Sequence, residues 1–210
     1  MNRMLHLYPK ERAGVTYPYV YWDGLFSDEE LEKVIEYCET LEKMEGTTIG
    51  EDGKDDDKDE SRESTIAWAR PTDENQWIFD RLLYVADQLN RRFYEFDLNG
   101  FETFQYTVYD GEKHQKYDYH MDTVMGLDKP IDMIETRKLS FSLCLSDPSK
   151  YEGGEFYIQT GSPKEEKLLK MEQPKGRVLA FPSFMIHGVS PVTKGTRRSI
   201  VVWVEGPKFK

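Results

Sequence analysis

Residues 139–146 read Leu-Ser-Phe-Ser-Leu-Cys-Leu-Ser, a strict alternation of large apolar and small polar side chains. Successive side chains on a strand point to opposite faces. One face is therefore Leu139, Phe141, Leu143 and Leu145, and the other is Ser140, Ser142, Cys144 and Ser146. An outer face bathed in water usually carries Lys, Glu and Thr instead. Four small groups imply a strand that packs a core with one face and leaves room behind the other, enough for a small polar ligand.

The segments around this strand change character half-way along the chain. Residues 17–22 read as a short strand, closed by the Asp23-Gly24 turn signal. Ser27 and Glu30 form a capping box, so a helix is expected from there to about Lys43. Its buried stripe is Leu31, Val34, Ile35, Cys38 and Leu41, which makes Cys38 a core side chain. Between Gly46 and Glu63 the composition turns polar, and residues 51–60 hold no apolar side chain. The Gly and closing Glu do not fit an EF-hand loop. A solvated, mobile loop is expected, with a lid over a basic substrate as the alternative. Residues 65–69 read as a strand. Pro71-Thr72-Asp73-Glu74 opens a second helix, expected to run to about Phe96 with Trp77, Ile78, Leu82, Val85, Leu89 and Phe93 on its apolar face.

From Phe101 onward the pattern is all β. Strands are expected at 104–109, 117–122, 139–146, 167–171, 176–181 and 198–204, with a further one that a Gly-Gly turn opens within 151–158 and a long connection at 123–136 beside the candidate site. The last strand is apolar on both faces, so it belongs in the centre of a sheet. Two or three helices followed by seven or eight antiparallel strands predict a mainly β, α+β fold: a double-sheet jelly roll (double-stranded β-helix) with its helices packed on one sheet. The expected organisation is one domain over 1–210, with helical support at about 17–97 and the jelly-roll core at about 101–207.

Charge narrows the partners. With 28 basic and 39 acidic residues the chain carries a net charge of −11, which disfavours wrapping a nucleic-acid backbone. Cys38 and Cys144 are the two cysteines and cannot build a disulfide framework. Residues 1–14 contain no apolar signal-like core, and no run is long enough to span a bilayer. The expectation is a cytoplasmic, reducing setting with no membrane partner.

The chemistry gathers at His120-Met121-Asp122. Read as a strand, this run places an imidazole and a carboxylate on one face. His187 follows 65 positions after Asp122, and Arg197 follows ten after His187. Two His and one carboxylate on a metal leave three positions open, as a non-haem Fe(II) oxygenase requires. Those positions suit a bidentate 2-oxo acid and O2. A dicarboxylate needs a cation at its far end, and Arg197, sharing a face with Ser199, can grip it as a bidentate fork. The remaining histidines, His6 and His114, are expected to be exposed and inert. A Zn(II) or Mn(II) jelly-roll protein of non-oxidative chemistry, or a binding module without turnover, uses the same triad. Arg197 with Ser199 argues for the oxygenase.

These motifs carry a resemblance. Gln105 to Gly111 precede the His-x-Asp pair. Arg137-Lys138-Leu139-Ser140, Tyr151-Glu152-Gly153-Gly154-Glu155 and Phe181-Pro182-Ser183 follow, and His187-Gly188-Val189-Ser190-Pro191 runs on to Arg197-Arg198-Ser199. Over roughly 17–207 the chain resembles iron- and 2-oxoglutarate-dependent dioxygenases of the prolyl-4-hydroxylase-like group. The resemblance implies Fe(II) on His120, Asp122 and His187, and 2-oxoglutarate with O2 as cosubstrates; ascorbate is a further candidate. It implies Arg197 on the distal carboxylate, where many prolyl hydroxylases have Lys. Tyr109 matches a tyrosine facing cosubstrate or substrate, and Cys144 stands where some relatives place a cosubstrate-binding Tyr. The implied reaction is hydroxylation of an unactivated C–H bond, of a prolyl residue in a peptide or protein, with a free amino acid or other small molecule as the alternative substrate.

Overall fold

The computed structural model describes residues 17–46, 48–49, 55–56, 61–123, 136–160 and 167–208. Strand β1 is Val20–Trp22, shorter than expected. Helix α1, Asp28–Glu39, opens on both halves of the capping box. Glu30 N donates to Ser27 Oγ at 3.2 Å, and Ser27 N donates to Glu30 Oε2 at 2.9 Å. The helix stops short of Lys43. Thr40 Oγ1 and Lys43 Nζ bond back to the carbonyls of Tyr37 and Glu39, at 2.7 and 2.8 Å, and satisfy the last turn instead. Leu31, Val34 and Cys38 are buried as the periodicity predicts.

Four two-residue strands follow: β2 (Met44–Glu45), β3 (Thr48–Ile49), β4 (Asp55–Asp56) and β5 (Arg62–Glu63). The backbone of β4 pairs antiparallel with β3, so the acidic stretch contains part of a hairpin rather than only loop. The other residues of 51–60, and most of the 123–136 connection, lie outside the described residues. Strand β6 is Thr65–Ala69 and helix α2 is Gln76–Leu89. α2 begins later than Pro71 because Asn75 closes a turn first: its Oδ1 accepts from Thr72 N at 2.7 Å and its Nδ2 donates to Tyr37 Oη at 2.6 Å. A π-helical turn, Asn90–Tyr94, carries the chain on toward the Phe96 end expected. Asn90 then clamps the exit with two hydrogen bonds to the Phe96 backbone, both 2.9 Å.

The described residues of the second half form nine strands: β7 (Phe104–Asp110), β8 (Lys116–His120), β9 (Thr136–Cys144), β10 (Tyr151–Gly153), β11 (Phe156–Gln159), β12 (Leu168–Met171), β13 (Val178–Pro182), β14 (His187–Val189) and β15 (Val192–Gly206). The excess over seven or eight arises at Tyr151–Gly153, a strand ahead of the expected Gly-Gly turn, and at His187, which starts a strand of its own. All pairings are antiparallel. The larger sheet runs β1-β13-β9-β15-β7-β6-β2, with β10 on the end of β15; the smaller runs β12-β11-β14-β8-β5. β15 is central, as its apolar faces require.

α1 and α2 cover the outer face of the larger sheet. Leu139, Phe141 and Leu143 meet Leu31, Val34, Leu82 and Val85 in one core. Truncating one of these, Leu82→Ala for example, costs about 2–5 kcal/mol. A second, smaller core of Phe156, Ile158, Leu179, Phe181 and Val189 lies between the sheets. Ser140, Ser142 and Cys144 are buried on that inner side, so the alternating strand has the two faces its sequence demands. This is the jelly roll, and the space between its sheets holds the site.

Candidate metal centre and cosubstrate pocket

His120 is the last residue of β8 and His187 the first of β14, and the two are direct partners in the ladder. Asp122 corrects the strand reading: β8 ends at His120. Asp122 N and Thr123 N turn to Ser183 O, at 2.9 and 3.1 Å. The carboxylate is thus aimed by a bend anchored on the chain after β13, not by strand alternation. Asp122 Oδ1 lies 3.5 Å from His120 Nε2, and its Oδ2 lies 3.4 Å from His187 Nε2. One ligand atom from each residue falls within 4.8 Å of the others.

The hydrogen bonds decide which atoms are free. His120 Nδ1 donates to Asp118 O at 2.8 Å, and His187 Nδ1 donates to Met185 O at 2.9 Å. A carbonyl only accepts, so each Nδ1 carries a proton and each ring turns its Nε2 to the carboxylate. Burial holds the His187 pKa down at about 4, against the opposing field of Asp122, so this ring is neutral at pH 7. Burial pushes the Asp122 pKa up, but the fields of His187 and His120 and a hydrogen bond from Ser140 outweigh it and hold the group ionised. Asp122 Oδ2 is buried and has no hydrogen-bond donor. The proton-free Nε2 of His187 and an anionic oxygen that converge in this way repel one another. A divalent cation resolves that conflict, and the N2O donor set suits Fe(II).

Packing fixes the rings. Phe181 and Phe156 flank His187, with centroids 4.5 and 5.5 Å away. Tyr117 stacks on His120 at 3.6 Å, and the Arg62 guanidinium sits 4.7 Å above Tyr117. Sequence reasoning missed Tyr117 and Arg62. The observable hint was Tyr117 three residues before His120, but strand alternation places those two on opposite faces.

The second pole of the site is Arg197, on β15. It is 1% exposed, and Ser199 beside it is equally buried. Arg197 Nη2 donates to Gln173 Oε1 at 2.7 Å, Nη1 donates to Ser199 Oγ at 3.5 Å, and Nε has no partner. The guanidinium carbon lies 5.5 Å from the Tyr109 ring centroid. Gly154 makes room for its stem: a Cβ there would come within 3.0 Å of Arg197 Cδ. The hydrogen-bond partners of Arg197 among the described residues are thus neutral. A buried cation without a counter-charge is costly, and a ligand carboxylate supplies one. Cys144 pairs with Ser199 across the sheet and donates to Ser146 O at 3.4 Å, so its thiol proton is already engaged. Gln173 carried no sequence signal. His114 is exposed on a turn, as expected, and His6 lies outside the described residues.

Residues 104–205 match the model of the 2OG-Fe(II) oxygenase superfamily. That stretch, just under half of the chain, is similar to members of the superfamily. A PKHD-type hydroxylase of Prochlorococcus marinus is 40% identical over 81 residues, covering 39% of this chain and 35% of that relative. The first curated relatives are spanned over 35–42% of their length. The fold extends further. A Pseudomonas putida prolyl-4-hydroxylase superposes with a TM-score of 0.65 at 18% identity, over 92% of this chain and 95% of that one. A Trichoplax adhaerens prolyl hydroxylase, solved with a hypoxia inducible factor peptide fragment, gives 0.65 at 16% identity over 90% and 83%. At such identities the likeness is one of fold.

Proposed function

We propose that the protein is an Fe(II)- and 2-oxoglutarate-dependent dioxygenase that hydroxylates a prolyl residue in a peptide or protein. The observation that carries the oxygenase reading is the pairing of two poles in one interior: a converging His120–Asp122–His187 cluster and a buried Arg197 held only by neutral partners. The first suits a metal, the second a carboxylate, and 2-oxoglutarate joins them. Bound there, Fe(II) with 2-oxoglutarate and O2 supplies the oxidation: one oxygen atom enters the substrate C–H bond, and the other, with loss of CO2, leaves in succinate.

The chain's residues do the rest. His120 and His187 contribute neutral nitrogens and Asp122 one negative charge, so a divalent ion keeps a net positive charge toward an anionic cosubstrate. Arg197, with Ser199, takes the distal carboxylate, and Tyr109 closes the wall beside it. Phe156 and Phe181 keep water from the His187 side.

Two observations support a peptide over a small metabolite. The prolyl hydroxylases of like fold include one solved with a peptide. A cleft of about 460 Å³ opens beside His120, lined by Tyr119, Met121, Gln159, Leu168 and Ile186. It is apolar and open-sided, as an extended segment needs. Among the described residues no helix is long and apolar enough to cross a membrane. Both cysteines are free and buried, in keeping with a reducing compartment such as the cytoplasm. The deciding experiment measures succinate formed from 2-oxoglutarate under O2 with a panel of proline peptides and free amino acids. Peptide-dependent succinate with a 16 Da gain on the peptide is expected; turnover with a free metabolite alone refutes the peptide substrate, and none with any additive refutes the enzyme.

A further inference from the structure

Gln173 lies on the connection between β12 and β13 and is 8% exposed. Its carboxamide oxygen accepts from Arg197 Nη2 at 2.7 Å. A guanidinium offers donors only, so the amide must present its oxygen to Arg197 and turn its NH2 away. That Nε2 is buried without a partner, and so is Arg197 Nε. Three N–H donors, two on Gln173 and one on Arg197, are therefore left unmet around one guanidinium. Folded interiors leave few buried polar groups unsatisfied, and here two such residues are hydrogen-bonded to each other. The shortage is entirely one of acceptors.

The segment that presents Gln173 is tied down on both sides. Gly176 N donates to Cys144 O at 2.8 Å, Cys144 N donates to Arg177 O at 3.0 Å, and Arg177 N donates to Pro174 O at 3.1 Å. Arg177 reaches back to Glu172 O at 3.3 Å and holds Asp23 through two bonds of 2.7 and 2.8 Å. Cys144 is the cross-strand partner of Ser199. The loop is thus fastened to the strand that lies beside Arg197, and Gln173 is placed against the guanidinium by backbone contacts rather than by its own hydrogen bond alone.

An anion with two or more acceptor oxygens satisfies these donors and also supplies the counter-charge that the neutral partners of Arg197 do not. We propose that Gln173 binds the distal carboxylate of the 2-oxo acid directly, donating through Nε2, while its oxygen holds Arg197 Nη2 and leaves Arg197 Nε for the same carboxylate. The inference rests on the reading of Arg197 as the 2-oxoglutarate anchor.

The test is calorimetric binding to the Fe(II)-loaded protein without oxygen, so that no turnover enters. Two probes are used: 2-oxoglutarate, and 2-oxopentanoate, which keeps the five-carbon chain but ends in a methyl group. Gln173→Met removes both amide groups at nearly constant volume. It should weaken 2-oxoglutarate about 10- to 100-fold, the range of a hydrogen bond to a charged group, and leave 2-oxopentanoate unchanged. Gln173→Glu keeps an acceptor for Arg197 and removes both unmet donors. It should bind 2-oxoglutarate more weakly still, with a melting temperature at or above that of the parent protein. Equal losses for both probes, or no loss for either, overturn the role of Gln173 while leaving Arg197 as the anchor. If the unaltered protein does not prefer 2-oxoglutarate over 2-oxopentanoate, the anchor itself is wrong and the role of Gln173 falls with it.

Discussion

Tyr117 lies flat against His120, with ring centroids 3.6 Å apart and planes within 16° of parallel. The contact depends on a register shift. His187 pairs with His120 and Val189 with Tyr117, so three steps on β8 match two on β14. The extra residue is a bulge, and it brings two side chains of odd spacing to one face. Arg62 completes the stack from β5, where it pairs with Tyr117 across the ladder. Its Nη2 donates to Gln105 Oε1 at 2.6 Å and its Nε to Ser64 Oγ at 3.0 Å. The first candidate metal ligand is therefore held in place by a chain of contacts that starts on the opposite sheet.

Tyr117→Leu should loosen that ligand. Groups that orient a metal-binding imidazole typically contribute about 10–100-fold in affinity, so Fe(II) binding is expected to weaken by about tenfold. Metal titration followed by competition with a chelator reads this directly. An unchanged affinity would show that the Asp118 carbonyl alone orients His120.

Asp122→Ala should abolish metal binding and leave the jelly roll folded. The carboxylate supplies the only negative charge in the triad, whereas the sheets close through strand pairing that does not involve it. Circular dichroism and thermal melting of the metal-free variant should match the parent closely. A collapse of the fold would mean that Asp122, through its backbone anchor on Ser183, is structural first.

Arg197 and Arg198 are adjacent and do opposite jobs. Arg197 points between the sheets, and Arg198 points out to α1, where its Nε donates to Glu39 Oε1 at 3.0 Å. Tyr106 Oη donates to the same oxygen at 2.7 Å. Arg197→Ala should cost about 2–5 kcal/mol of 2-oxoglutarate binding, the usual loss for one partner of a desolvated charge pair. Arg198→Ala should leave binding alone and cost under about 1 kcal/mol of stability, because its ion pair is partly exposed. Calorimetry and denaturant unfolding separate the two. Comparable binding losses would contradict the orientation of β15.

That contrast was legible in the sequence, since 197 and 198 must face opposite ways on a strand. So were the capping box at Ser27, the alternating faces of β9 and the central place of β15, because each depends on local periodicity. Asp122 was singled out as a strand neighbour of His120, whereas a bend on Ser183 brings it beside the two histidines. Tyr117, Arg62 and Gln173 were not found. The first two meet through a bulge, which breaks the period that sequence reading relies on. Gln173 reaches Arg197 from 24 positions away across a connection whose course no local pattern fixes.

Acid should destabilise the metal-free protein through His187. Its folded pKa, about 4, lies below the unfolded value of about 6.5, so the unfolded chain takes up the proton first. The contribution is intact above 6.5 and is lost as pH falls from there to about 4, at no more than about 1.4 kcal/mol per pH unit. Asp122 is held below the usual carboxylate value, so its contribution persists through this window and fades only at lower pH. Unfolding free energies measured with chelator present should fall between pH 7 and 4.5, and His187→Asn should flatten that slope. An equally steep slope in the variant would place the titrating group elsewhere.

The cleft beside His120 gives the last prediction. Leu168 is 42% exposed and Ile186 37% exposed, large apolar groups in a cleft that also exposes Tyr119 and Met121. If an extended peptide lies there, burying a leucine-sized contact is worth about 1.5–3 kcal/mol, which is roughly 10–100-fold in binding. Leu168→Glu should therefore raise KM for a proline peptide at least tenfold with little change in kcat. Leu168 lies on the outer rim and touches neither the triad nor Arg197 in any hydrogen bond or ion pair, so substrate-free decarboxylation of 2-oxoglutarate should continue at the parent rate. That second measurement separates the cleft from the metal centre. A fall in both rates together would mean that the substitution has disturbed β12 and β11, whereas unchanged peptide kinetics would move the substrate to another mouth of the barrel.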